Sequence, residues 1–322
     1  MNRRTLLATA GAALIAAPAP APAQRRFWSQ QWPKTDFTRS SVNLDEIISG
    51  GVPKDGIPAL DTARFGDAAG LAPKEPVMTV ALDGRPERAY PLRYLMWHEI
   101  VNDEVDGLPI AVTYCPLCNS GLVFDRRVGG QTLEFGVSGN LRFSDMIMYD
   151  RQTESWWQQF TGEAIVGELM GARLTVLLSW MESVSDFEAR NPDTGVMQQP
   201  RFGRAYGRNP YVGYDGLAKP FLYNGEPPPH DIPPLARVVR VGDRAWPLSR
   251  FADSATITEA GLRLEWRPGV ASALDDASIA NGRDVGAIRV FDAQTGADVV
   301  HEVVFAFAFH AFLPQGIWML GL

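Results

Sequence analysis

Cysteine is nearly absent: the 322-residue chain holds two, Cys115 and Cys118. A disulfide framework is therefore excluded. One pair across two intervening residues closes almost no loop and constrains little of the unfolded chain. A closed four-thiolate metal site is excluded on the same count. Positive charge is in deficit, with 30 Lys and Arg against 37 Asp and Glu and a net charge of −7. An acidic surface repels phosphate backbones and anionic lipid, so nucleic acid and an anionic membrane face are not expected partners. After the N-terminus, no apolar run reaches the roughly 18 residues that a membrane helix needs. The tail Val303 to Phe309 is too short, is followed by His310 and Pro314, and reads as a buried strand. A nucleophile elbow is also lacking. Phe135-Gly136-Val137-Ser138-Gly139 sets two glycines around a serine but has neither the Gly-x-Ser-x-Gly order nor a clear helix after it.

What is present specifies a packed protein: 46% of residues are apolar and 21% charged. Residues 1–23 read as an export signal, with Arg3-Arg4 ahead of an apolar stretch and Ala21-Pro22-Ala23 as a cleavage site. Arg3-Arg4, Thr5 and Leu6-Leu7 suggest the twin-arginine form. The expected location is periplasmic or secreted. Residues 24–54 form an extended lead-in, 55–199 a first β-rich repeat, 200–234 a Pro-, Gly- and Tyr-rich connector, and 235–322 a second, diverged repeat. The duplication rests on echoes. Arg244-Ala245-Trp246-Pro247-Leu248 repeats Arg88-Ala89-Tyr90-Pro91-Leu92. Gly261 to Trp266 repeats Gly121 to Arg126, and Ile288 to Thr295 repeats Ile147 to Thr153. The expected fold is α+β, mainly β, with two diverged repeats packed as one unit.

In the first repeat, Val77 to Leu82 and Glu87 to Pro91 predict a hairpin. Leu92, Leu95, Met96 and Ile100 fall near helical spacing, which predicts an amphipathic helix over Leu92 to Asp103. Asp106-Gly107 then turns the chain into an apolar run, Pro109 to Tyr114, that ends at Cys115-Pro116-Leu117-Cys118. Another apolar run follows from Gly121. The second repeat has no cysteines, so any chemistry belongs to the first.

The Cys-Pro-Leu-Cys turn is open to three chemistries. Between strands it resembles the knuckle of zinc and iron sites, where two thiolates grip a soft ion. His98, 17 residues upstream, is the best third ligand, and Glu99, Asp103 or Asp145 can supply a fourth. Zinc, iron or copper would suit that donor set. Alternatively the pair is a redox-active dithiol, although no helix follows to lower a thiol pKa. Or it is a local structural disulfide, with no cofactor, in a binding or scaffold protein that meets partners through the tyrosine-rich connector. Asp145, Asp150 and Arg151 gather as a polar floor or weak cofactor-binding group beside the cysteines. No catalytic residue is identified beyond the candidates Cys115 and Cys118. The partner is an unidentified small molecule or protein.

Tyr90-Pro91, Trp97-His98-Glu99-Ile100-Val101-Asn102-Asp103, Val112 to Cys118, Phe135 to Gly139 and Tyr149-Asp150-Arg151 occur in one order. In them the chain resembles the bacterial family known as domain of unknown function 3179. The resemblance runs from about Asp55 to the C-terminus. It implies no activity. Asn119 stands where such turns more often carry glycine, and asparagine tolerates positive φ better than most residues.

Overall fold

β-branched and aromatic residues dominate the stretches between turns, and the computed structural model is mainly β accordingly. It describes residues 27–321; the predicted export signal lies outside them. Residues 27–31 form one helical turn, with the Trp32 N–H donating to the Trp28 carbonyl (2.8 Å). From Lys34 onward the chain is one compact unit. Its small sheets are set in a ring, like the blades of a propeller. No described helix is long and apolar enough to cross a membrane.

Two sheets position the cysteines. One runs Thr175–Leu177, Ser120–Asp125, Leu108–Cys115, Ile100–Val105. The other runs Ile47–Ser49, Phe135–Arg142, Asp145–Asp150, Trp156–Gln158, Glu163–Val166. Leu108–Cys115 and Ser120–Asp125 are antiparallel and end in the pair Cys115 with Ser120. Phe135–Arg142 and Asp145–Asp150 pair to the register Arg142 with Asp145, closed by Phe143-Ser144. Those two residues adopt φ of +50° and +68°, the sign a two-residue type I′ hairpin needs. Trp156 and Trp157 are fully buried and belong to the core.

The expected hairpin appears as Pro76–Val80 and Arg88–Pro91, and Val77 pairs with Pro91. The helix is shorter than its pattern. It spans Leu92–His98, and Ile100–Val105 is a strand. The break is Glu99, whose φ of 59° and ψ of −32° cannot continue a right-handed helix. The tail also differs from expectation: Glu302–Phe305 is a strand, but Ala306–Phe312 is a helix whose first turn is buried. Phenylalanine and alanine alternate there, a pattern that fits a strand. Docking decides otherwise, with the Ala306 and Phe307 N–H groups bonded to the Ala236 and Pro234 carbonyls.

The strand Glu302–Phe305 lies against the cysteine turn. The Phe305 N–H donates to the Cys118 carbonyl (2.9 Å), and Asn119 Nδ2 donates to the Val303 carbonyl (2.8 Å). The connector adds another tie, because Tyr214 donates its hydroxyl to the Leu117 carbonyl (2.9 Å). Turn, C-terminal strand and connector thus share one buried core.

Candidate functional site

Pro116 fixes its own φ and suits the second position of a turn. The Cys118 N–H donates to the Cys115 carbonyl (3.3 Å) and the Asn119 N–H to that of Pro116 (3.2 Å). Asn119 takes φ +50°, so the chain turns back without glycine. Its Oδ1 accepts from the Tyr114 hydroxyl (3.2 Å), which helps hold that conformation. The result is a tight turn between two strands. Both cysteines are free thiols and both are buried.

The register of the neighbouring hairpin brings a third group in. Asp145 follows the Phe143-Ser144 turn, and Cys115 Sγ lies 3.7 Å from the Ser144 carbonyl oxygen. The ligand-type atoms of Cys115, Cys118 and Asp145 all lie within 4.8 Å of one another, and all three residues are buried. Asp145 Oδ2 accepts from Gln158 Nε2 (2.7 Å) and from the Phe160 N–H (3.0 Å). Its Oδ1 is buried and has no hydrogen-bond partner among the described residues.

Burial dominates the electrostatics. It pushes the Asp145 carboxyl up to about 7, against the pull of its Gln158 and Phe160 hydrogen bonds and of the nearby Cys115 thiol. Glu99 is pushed up to about 8, first by burial and then by the charge of Asp145. Burial also raises both thiols, Cys118 well above the ordinary range. No salt bridge reaches Asp145 or Glu99 among the described residues. Four acidic groups therefore share one interior, and burial favours the protonated form of each.

The other expected site residues lie elsewhere. His98 is buried, but its Nδ1 meets the Pro58 carbonyl (2.7 Å) and its Nε2 the Tyr206 hydroxyl (2.6 Å). Both ring nitrogens are engaged, so His98 does not join the thiol cluster in this structure. Asp150 closes the far end of the strand that Asp145 begins, roughly 16 Å away at about 3.3 Å per residue. There it accepts from the Thr153 N–H (2.6 Å) and Trp157 Nε1 (2.9 Å). Arg151 pairs with Asp61 (2.9 Å) and Glu134 (3.3 Å). Asp103 is taken by Arg88 (2.9 Å) and Tyr90 (2.6 Å). The structure thus gathers Cys115, Cys118 and Asp145, sets Glu99 within reach of their charge, and leaves Asp150 and Arg151 in a turn of their own.

Gln158 escaped notice as a site residue. A signal exists in hindsight: two amides directly follow two core tryptophans in Trp156-Trp157-Gln158-Gln159. A buried amide needs partners, and one of the two finds Asp145.

The chain belongs to the family described as protein of unknown function (DUF3179), whose model matches residues 54–316. No match was found among curated proteins or among solved structures.

Proposed function

We propose that this is an exported metal-binding protein whose ion sits between Cys115, Cys118 and Asp145. One observation carries the reading: three ligand-type atoms converge within 4.8 Å in the interior, while Asp145 Oδ1 has no donor among the described residues. A tetrahedral site with bonds of about 2.3 Å spaces its ligands by about 4 Å, so the donor set fits. Two thiolates select a soft or borderline ion, and the carboxylate favours zinc or iron over copper(I). A bound dication would supply Lewis acidity and keep the thiolates ionised. Cys115 and Cys118 would be the sulfur ligands and Asp145 the oxygen ligand. Glu99 stands beside them as a carboxyl able to hold a proton near neutral pH.

Thiol-disulfide exchange has less support. An attacking thiol needs exposure and a lowered pKa, and here both thiols are buried and raised. Export by the twin-arginine route accords with the metal reading, because that route moves chains already folded around a cofactor.

We also infer the diverged duplication. Pro91 and Pro247 stand at the same place in two strand–turn–strand–helix units, with φ, ψ of −59°, 130° and −58°, 134°. Asp106-Gly107 (45°, 78°) and Ala260-Gly261 (53°, 78°) turn the next hairpin alike. That equivalence sets Gly261 opposite Gly107 rather than Gly121.

Elemental analysis of protein purified from an exporting host under reducing, oxygen-free conditions tests the metal reading. One zinc or iron ion per chain is expected. A chain that stays metal-free after incubation with zinc, iron(II) and copper(I) in turn would overturn it.

A further inference from the structure

We propose that Gln158 is a positioning residue that makes Asp145 a one-oxygen ligand and thereby sets the coordination number of the ion. The proposal rests on the metal-site reading above and goes on to assign the orientation of one of its ligands. Gln158 is 1% exposed, and the strand that carries it, Trp156–Gln158, pairs with Asp145–Asp150 through Ile147 opposite Gln158. That pairing brings Nε2 to 2.7 Å from Asp145 Oδ2. The Phe160 N–H reaches the same oxygen at 3.0 Å. Two donors occupy the two lone pairs of Oδ2, so this atom is a poor ligand. Oδ1 is left alone, and it is the oxygen without a partner.

The asymmetry has a chemical consequence. A carboxylate held by one oxygen contributes one donor, so the chain offers two sulfurs and one oxygen, with a fourth position for another group. That is the low coordination number that zinc accepts. It is far from the six to eight oxygens that calcium takes. Without the Gln158 amide, Oδ2 keeps only the Phe160 N–H and regains a lone pair for the ion, so Asp145 can bind through both oxygens and raise the coordination number. Gln158 thus acts through Asp145 and touches no ligand position itself.

Cobalt(II) is the probe, titrated into the reduced full-length protein without oxygen. The wild type is expected to show a thiolate-to-cobalt charge-transfer band and the intense visible bands of a four-coordinate ion. Gln158→Met keeps the bulk and removes the amide. It is expected to bind cobalt 10- to 100-fold more weakly, about the usual effect of an outer-shell ligand partner, with visible bands weakened by a five-coordinate ion. Gln158→Leu, also without a side-chain donor, serves if the methionine variant does not fold, and the same changes are expected. Gln159→Met is the control. Its amide donates to Thr113 Oγ1 (3.0 Å) rather than to Asp145, so its cobalt bands should match the wild type. Wild-type affinity and band intensity in the Gln158 variants would overturn the proposal, as would equal weakening in Gln159→Met. If the wild type shows no thiolate band at all, the metal reading itself falls.

Discussion

Cys118→Ser is expected to abolish the stabilisation of this protein by metal. A serine hydroxyl stays protonated where a thiol can ionise beside a cation, so one of two sulfur ligands is lost. Ligand that binds only the folded chain stabilises it by about 4 kcal/mol at a thousandfold excess over Kd. In a domain of this size that corresponds to a rise in Tm on the order of 10 °C. The rise should appear in the wild type on addition of zinc and vanish in Cys118→Ser and in Asp145→Asn. The substitution itself is mild in shape, and the turn is held by backbone bonds that serine retains, Cys118 N–H to Cys115 and Phe305 N–H to Cys118. His98→Ala separates a ligand from a core residue. It cuts the links to Pro58 and Tyr206 and should lower stability by about 1–3 kcal/mol. Its zinc-dependent rise should remain that of the wild type. A full rise in Cys118→Ser, measured by thermal unfolding at fixed free zinc, would remove the thiols from the site.

The second large effect is a reversal of pH dependence by the ion. In the metal-free chain, burial raises Asp145 from 3.8 to about 7 and Glu99 from 4.5 to about 8. The folded state thus holds protons that the unfolded chain has released. The stability that these groups contribute is fully present below about pH 4 and is lost as pH rises through 7 to 8. The metal-free protein should therefore weaken, by several kcal/mol, from mildly acidic to mildly alkaline solution. The loaded protein should do the opposite. Binding expels protons from Cys115, Cys118 and Asp145, so affinity rises by up to about a thousandfold per pH unit where all three are protonated. Denaturant melts across pH 5 to 9, with and without zinc, should give curves of opposite slope. Parallel curves would show that zinc displaces no protons from these acids, and a flat metal-free curve that the folded chain holds none on them.

The cysteine turn was legible because its signals are local. Apolar runs end on either side of Cys115-Pro116-Leu117-Cys118, and the observed strands Leu108–Cys115 and Ser120–Asp125 follow them. Helix length was not legible. Ile100 and Val101 satisfy helical spacing as well as strand pairing, and the choice is made at Glu99, whose positive φ sends them into a sheet. His98 and Glu99 are neighbours in sequence, yet His98 is bonded to Pro58 and Tyr206 while Glu99 feels the charge of Asp145. Asp145 stood among several acids of equal standing in the sequence. What selects it is the register of a distant hairpin, which sets Ser144 beside Cys115 while Asp150 ends the same strand on a turn with Thr153. Register of that kind depends on pairing between segments some 30 residues apart, and composition does not reveal it.

X-ray absorption at the metal edge of the zinc-loaded protein tests the centre most directly. Two sulfur neighbours at about 2.3 Å and lighter neighbours at about 2.0 Å are expected. A zinc ion surrounded by nitrogen and oxygen alone would place it away from Cys115 and Cys118 and contradict the site.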